Sequence, residues 1–177
     1  LKRVFKNKNN DLSYYQDFQK AFYKFYGINR FISDEFEIKY FNVLKELKEY
    51  PLSYEVDLKE FVEEKMIDKN KEGNLIIQFS FATKALNIFN DEKYPIYDSN
   101  VSKVFGVYSS DKTDIGNKLE KYIENYEIIM EVYKKILEMD KYKKYITDFR
   151  EKFKYADESI SDMRILDIIV WKLGEKK

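Results

Sequence analysis

Residues that interrupt regular structure are scarce in this chain, which has only 5 Gly and 2 Pro among its 177 residues. A β-rich fold needs many turns, and Gly and Pro are residues that turns favour. Their scarcity therefore favours long helices joined by short links. Apolar residues recur at three- and four-residue steps, which predicts helices over 12–26, 34–50, 58–66, 81–90, 119–137, 142–153 and 159–173.

Several residues mark the predicted ends of these helices. Gly27 is the expected stop of the first helix, and Ser33 is the expected N-cap of the second, with Asp34 and Glu35 in its first turn. Ser159 is the predicted cap of the last helix, whose apolar residues occur on nearly every side and predict a central place in the core. The predicted ends leave only short connections between neighbouring helices.

One run, LIIQFSF at 75–81, has the composition of a strand, but no second strand is evident to pair with it. It is therefore predicted to form a buried turn or a helix end. The predicted fold is all-α, an irregular bundle of seven or eight helices. The basic stretch at 1–10 is expected to form an N-terminal arm, and residues 11–177 a single helical domain.

Composition excludes several kinds of chemistry. The absence of Cys and His rules out a thiol nucleophile, an imidazole base and thiolate or imidazole zinc sites, and no clustered Asp/Glu spacing indicates a metal site. No metal or cofactor is therefore predicted. Lys+Arg and Asp+Glu are equal at 32 each, so no net field steers the chain toward a polyanion or a membrane. Since no membrane span or signal-peptide pattern is present, we expect a cytoplasmic protein without a membrane partner.

Lys84 is the first residue whose placement offers chemistry. On a helical wheel of 81–90 it lies at the border between an apolar face and a polar face that carries Thr83, Asn87 and Asn90. Partial burial favours the neutral form of a lysine amine, which is the nucleophilic form. The ordinary alternative is a lysine whose stem follows the edge of the apolar face while its amine reaches water.

Asp98 is the second such residue, since it follows Pro95 and precedes a helix with Val101, Val104 and Phe105 on its inward face. By position it is an N-cap, which is a purely structural role. Its side chain also lies near the edge of the apolar face. It is therefore expected to share a cleft with Lys84.

In the last helix, Arg164, Asp167 and Trp171 fall on one stripe by their i, i+3 and i+7 spacing. One interpretation is a partly buried ion pair packed on the indole. The other is a binding surface in which Trp171 stacks on an extruded base while Arg164 or Asp167 contacts the edge of that base.

The segments SFATKALNIFN and YPIYDSNV, in this order, resemble helix-hairpin-helix DNA glycosylases, and most closely their 8-oxoguanine DNA glycosylase branch. The hairpin of that branch reads Gly-x-Gly-Thr-Lys, where this chain has SFATK with Thr83 and Lys84, and its Val-Asp at the next helix start corresponds to Asp98. RILDIIVWKLG at 164–174 is similar to the closing helix of bacterial proteins related to these enzymes. Ser80 and Ala82 stand where the hairpin has glycine.

The resemblance implies a helix-hairpin-helix glycosylase fold and a DNA repair activity on a damaged base, such as an oxidised purine. Lys84 would attack the anomeric carbon and displace the base, and the resulting Schiff base would allow strand cleavage. Asp98 would stabilise positive charge on the sugar. Ser80 and Thr83 are the candidates for contact with a DNA phosphate, and Trp171, Arg164 and Asp167 for the base pocket. The alternative is a catalytically inactive helical module that binds nucleic acid or a protein.

Overall fold

The computed structural model describes residues 12–26, 32–107, 114–153 and 160–176. Within these ranges the chain forms eight helices and one two-stranded hairpin. Their bounds are α1 Leu12–Tyr26, α2 Asp34–Glu49, α3 Leu58–Lys65, β1 Ile67–Lys69, β2 Leu75–Ile77, α4 Phe79–Phe89, α5 Ser99–Phe105, α6 Ile115–Glu138, α7 Asp140–Lys152 and α8 Asp162–Glu175. The all-α class is thus confirmed, apart from the small hairpin.

The caps follow from residues with short polar side chains. Ser33 caps α2 as predicted, and its Oγ accepts the Phe36 amide at 3.0 Å. The cap of α8 is Ser161, whose Oγ accepts the Arg164 amide at 3.0 Å. α8 therefore begins at Asp162, two residues later than a cap at Ser159 would place its start. Ser159, Gly27 and the arm at 1–10 lie outside the described residues, and the division into an arm and one domain stays a prediction.

The expectation that 75–81 has no strand partner was wrong. β1 pairs with β2 in antiparallel register, with Ile67 opposite Ile77, and Gly73 in the connecting turn has a φ of +82°. β1 is only three residues long and includes the buried Asp68, so it has no apolar alternation that would predict a strand. The hairpin leads directly into α4.

Aromatic side chains from three helices form the centre of the core. Phe81 of α4 lies edge-on to Tyr40 and Phe36 of α2, with ring centroids 5.0 and 5.5 Å apart, and Phe22 of α1 lies 5.4 Å from Tyr40. α6 closes the other side, where the rings of Phe79 and Tyr122 stack at 4.9 Å. These contacts fix α4 between α1, α2 and α6.

α8 packs on α5 and not at the centre of the core as predicted. Trp171 and Leu173 are 38% and 52% exposed, so one side of α8 faces away from the core. Tyr145 of α7 belongs to the apolar stripe of its helix but is 48% exposed. It borders an apolar groove of about 640 Å³ between α7 and α8, which explains its apolar spacing without full burial.

α5 and α8 approach each other closely at a glycine. A Cβ added to Gly174 of α8 would come within 2.6 Å of the carbonyl carbon of Asn100 in α5, so the contact requires a residue without a side chain. This contact sets the start of α5 beside α8. Among the residues that the structure describes, no helix combines the length and the apolar character that a membrane crossing requires.

Candidate functional site

The site is built on α4, which is buried on every side and not amphipathic as predicted. From Phe79 to Phe89 only Ser80 is partly accessible. Thr83 and Asn87, assigned to a polar face in the sequence, lie inside the protein. Buried polar side chains of this kind need hydrogen-bond partners, and they find them in the backbone that follows α4.

That backbone is residues 94–97, which we call the 94–97 link. Asn87 Nδ2 donates to the Tyr94 carbonyl at 2.7 Å. Thr83 Oγ1 accepts the Tyr97 amide at 3.1 Å and lies 3.3 Å from the Tyr97 carbonyl, to which it donates. Two side chains of α4 therefore hold the two ends of the link.

Two further helices hold the middle of the link. Tyr126 of α6 donates its hydroxyl to the Pro95 carbonyl at 2.8 Å. Asp167 of α8 accepts the Ile96 amide with both carboxylate oxygens, at 3.1 and 3.2 Å. Side chains from α4, α6 and α8 thus fix the backbone that leads to Asp98.

Asp98 is the N-cap of α5, as the sequence predicted. Its Oδ1 accepts the amides of Asn100 and Val101 at 2.9 and 3.0 Å. Its other oxygen, Oδ2, accepts no hydrogen bond from the residues that the structure describes. One carboxylate oxygen therefore holds the helix, and the second is available to a ligand.

Lys84 is buried, with only 6% of its surface exposed. Its amine donates to the Ser80 hydroxyl and lies 3.4 Å from the Ser80 carbonyl. The amine also lies 5.5 Å from the centre of the Tyr26 ring at the end of α1. The edge position inferred from the helical wheel is thus covered by α1.

A cavity of about 230 Å³ opens beside these residues. α8 forms one wall and the end of α1 another, while the 94–97 link and the start of α5 complete it. Its lining residues are Phe25, Tyr26, Ile96, Asp98, Val101, Arg164, Asp167, Ile168 and Trp171. Four of the five residues proposed for catalysis and the base pocket therefore line one cavity. The fifth, Lys84, does not line it but contacts Tyr26, which does.

Arg164 and Asp167 form the buried ion pair that their spacing predicted. Arg164 Nη1 lies 2.7 Å from Asp167 Oδ2, and Asp167 is only 1% exposed. The guanidinium packs on Phe25 and Tyr26, at 5.6 and 6.0 Å from their ring centres, and not on the indole as one interpretation had it. Trp171 is left as a partly exposed wall of the cavity.

A comparison with known protein families matches residues 78–174 to a family of unknown function, DUF6308. The match covers more than half of the chain. The chain belongs to this family. Comparisons with curated proteins and with solved structures found no match.

The DUF6308 region begins at Gln78, directly before α4, and ends at Gly174, near the end of α8. It therefore contains Lys84, Asp98 and the whole of the α8 stripe. Phe25 and Tyr26 come from outside it. The cavity is thus formed by the DUF6308 region together with the end of α1.

Thr83 and Ser80, the two residues proposed to contact a DNA phosphate, lie in different environments. Thr83 is fully buried, and its hydroxyl is engaged with the Ser80 and Tyr97 backbone, so the prediction of a phosphate contact for Thr83 is corrected to a structural role. Ser80 borders a second cavity of about 250 Å³ at the starts of α4 and α5, which Ser99 and Lys103 also line. Its hydroxyl is occupied by the Lys84 amine.

The sequence did not indicate two residues that complete the DUF6308 site although they lie far from it along the chain. Tyr26 and Phe25 were recognised only as part of a helix, because nothing in their local pattern distinguishes them from core aromatics. Burial raises the pKa of Tyr26 to about 12, although the adjacent Arg164 guanidinium acts in the opposite direction. Tyr26 is therefore a neutral hydroxyl at ordinary pH.

Burial also raises the pKa of Asp167 to about 6, against the opposing influence of Arg164 and of the Ile96 amide. An aspartate in the unfolded chain has a pKa of about 3.9, so between these values the folded protein holds the proton more tightly. Asp167 therefore contributes stability below about pH 4, and this contribution is lost as the pH rises through 6.

We expect the ionisation of Asp167 to lower the free energy of unfolding by roughly 3 kcal/mol. Urea unfolding of the wild type and of Asp167→Asn, measured from about pH 4 to 7, tests it. The free energy of unfolding of the wild type should fall relative to that of the variant over this range. Two curves that run parallel would show that the carboxyl has an ordinary pKa.

Proposed function

We propose that this chain is a DNA glycosylase with lyase activity that acts on a damaged base, such as an oxidised purine. The resemblance of SFATK and YPIYDSNV to 8-oxoguanine DNA glycosylases suggests the reaction. The observation that carries the proposal is the cavity that Asp98 lines together with Tyr26, because the Lys84 amine lies on the other side of the proposed site against the Tyr26 ring, 5.5 Å from its centre. The Lys84 amine is thus separated by one side chain, that of Tyr26, from the cavity that Asp98 lines.

Lys84 is the proposed nucleophile. Its amine is nearly excluded from water, and the proposed attack requires the neutral form of that amine. In the proposed step the amine nitrogen bonds to the anomeric carbon, and the bond from that carbon to the base breaks, with the base taking the electron pair and then a proton. The sugar ring opens to an imine, from which elimination cleaves the strand on the 3′ side.

Asp98 is the proposed stabiliser of charge. The hydrogen bonds of its Oδ1 to α5 fix the carboxylate, so its free Oδ2 has a defined direction. A fixed negative group near the anomeric carbon would stabilise the positive charge that develops there as the base leaves. It would also accept the proton that the amine loses.

The walls of the cavity suit a small planar group. Its volume of about 230 Å³ lies below the range of about 300–1,000 Å³ typical of sites for drug-sized ligands. Trp171 offers a face on which a base can stack, and the guanidinium of Arg164, which Asp167 holds in place, offers N–H donors to the edge of that base. A single extruded base is the ligand that these walls favour.

Borohydride trapping tests the proposal. The protein is incubated with duplex oligonucleotides that contain 8-oxoguanine or an abasic site, borohydride is added, and the products are analysed by mass spectrometry. We expect a covalent adduct on one of them that maps to Lys84, and none on an undamaged duplex. No adduct on either lesion would overturn the proposal.

That outcome would favour the second candidate, a catalytically inactive module that binds nucleic acid or a protein. The observation in its favour is that the Lys84 amine is held by Ser80 under Tyr26. Binding of the same oligonucleotides without trapping would support the nucleic-acid form of this candidate.

A further inference from the structure

Asp167 contributes more to the site than a wall of the cavity. Both of its oxygens accept the Ile96 amide, two residues before Asp98, and the Tyr133 hydroxyl donates to Oδ1 at 3.4 Å. Arg164 holds the other side of the carboxylate. Asp167 therefore connects α6 and α8 to the backbone that carries Asp98.

We propose that Asp167 is a positioning residue whose ionised carboxylate fixes the 94–97 link and thereby aims Asp98 into the cavity, and that protonation of Asp167 loosens this hold. The proposal deepens the proposed function and rests on it only where catalysis is measured. Its structural part concerns the hydrogen bonds of the link alone.

The hydrogen bonds explain why the two protonation states differ. An ionised carboxylate only accepts, so it satisfies the donors of Ile96, Arg164 and Tyr133 together. A protonated carboxyl has one hydroxyl that donates, so at least one of these donors loses a full acceptor. The charge-assisted contact with Arg164 is weakened at the same time.

Asp167 changes its protonation state in a pH range that experiments reach easily, since burial raises its pKa to about 6. The titratable groups that face Asp167 or its partner Arg164 are Asp98 at the start of α5, Tyr126 and Tyr133 on α6, Tyr26 on α1, and Asp91 directly after α4. Burial raises the pKa of these tyrosines, so they stay neutral near pH 6, and Arg164 stays charged. Asp98 also acts on Asp167, because its negative charge favours the protonated form.

Amide NMR measures the structural part without any substrate. In the wild type, the Ile96 amide should titrate with a midpoint near that of Asp167, and the Asn100 and Val101 amides, which Asp98 caps, should show a component with the same midpoint. In Asp167→Asn these components should disappear from all three amides. Asp162→Asn removes an exposed carboxyl from the same helix and should leave them unchanged.

The proposal is overturned if the Asn100 and Val101 amides lack the Ile96 midpoint, or keep it in Asp167→Asn. Should Asp167→Asn fail to fold, Tyr133→Phe replaces it, since this change removes only one donor to Asp167. Because the lost donor stabilises the ionised carboxylate, the change should raise the titration midpoints of the Ile96 and Asn100 amides by the same amount. Different shifts at the two amides would equally overturn the proposal.

Borohydride trapping tests the catalytic part of the proposal. If the wild type forms the adduct, Asp167→Asn should form it about 10- to 100-fold more slowly, because Asp98 is then misplaced, and the rate should no longer depend on pH near 6. An unchanged rate and pH profile would overturn the positioning role while the glycosylase proposal stands. If the wild type forms no adduct, the glycosylase proposal fails, and the NMR result still decides whether Asp167 positions Asp98.

Discussion

Replacement of Lys84 by methionine is expected to abolish the borohydride-trapped adduct completely. A thioether cannot form an imine, whereas the methionine side chain is similar in length to that of lysine and suits the buried position between Phe81 and Ile88. The fold should tolerate the change, since it replaces a polar amine by an apolar group at an interior position. Intact-mass analysis after borohydride treatment measures the adduct, and thermal unfolding confirms that the variant is folded.

Lys103→Met is the matched control. Lys103 is an exposed lysine on α5 that lines the neighbouring cavity at the starts of α4 and α5, so it offers an accessible amine close to Asp98. Its replacement should leave the adduct unchanged. Equal trapping by Lys84→Met and the wild type would assign the nucleophile to another residue and remove the central element of the mechanism.

The second large effect is expected at Gly174. Its replacement by alanine places a Cβ against the backbone of Asn100, at 2.6 Å from the carbonyl carbon and 2.9 Å from the Cα. Backbone cannot rotate away as a flexible side chain can, so α5 and α8 must separate. We expect a loss of about 3 kcal/mol in the free energy of unfolding, measured in urea, even though alanine itself favours a helix over glycine.

Gly116→Ala separates the clash from the effect of helix propensity. Gly116 lies near the start of α6, and a Cβ there meets only the Asp114 side chain, at 3.3 Å. That variant should be as stable as the wild type or slightly more stable. If both alanine variants have the same stability, the close contact between α5 and α8 does not constrain the fold.

The sequence predicted those features that depend on nearby residues. Apolar spacing located the helices, and the short polar residues Ser33 and Asp98 marked two helix starts. The i, i+3 spacing of Arg164 and Asp167 correctly indicated an ion pair, because residues three apart on a helix are neighbours whatever surrounds them. Local geometry was sufficient in each of these cases.

Features that depend on distant partners were missed. Thr83 and Asn87 form a polar face on a wheel of α4, and only the path of the chain through 94–97 shows that this face binds backbone in the interior. Tyr26 covers Lys84 although 58 positions separate them, and no periodicity encodes such a contact. The hairpin was missed because β1 is too short to display an alternating pattern.

The hydrogen bonds of the 94–97 link restrict insertions and deletions in this part of the chain. Each of its four residues is held by a side chain from α4, α6 or α8, so an inserted or deleted residue would place every later backbone group opposite the wrong partner. Its length is therefore tied to Thr83, Asn87, Tyr126 and Asp167 as a set. Though irregular in conformation, this segment is as constrained in length as a central strand, and changes in chain length must be accommodated elsewhere.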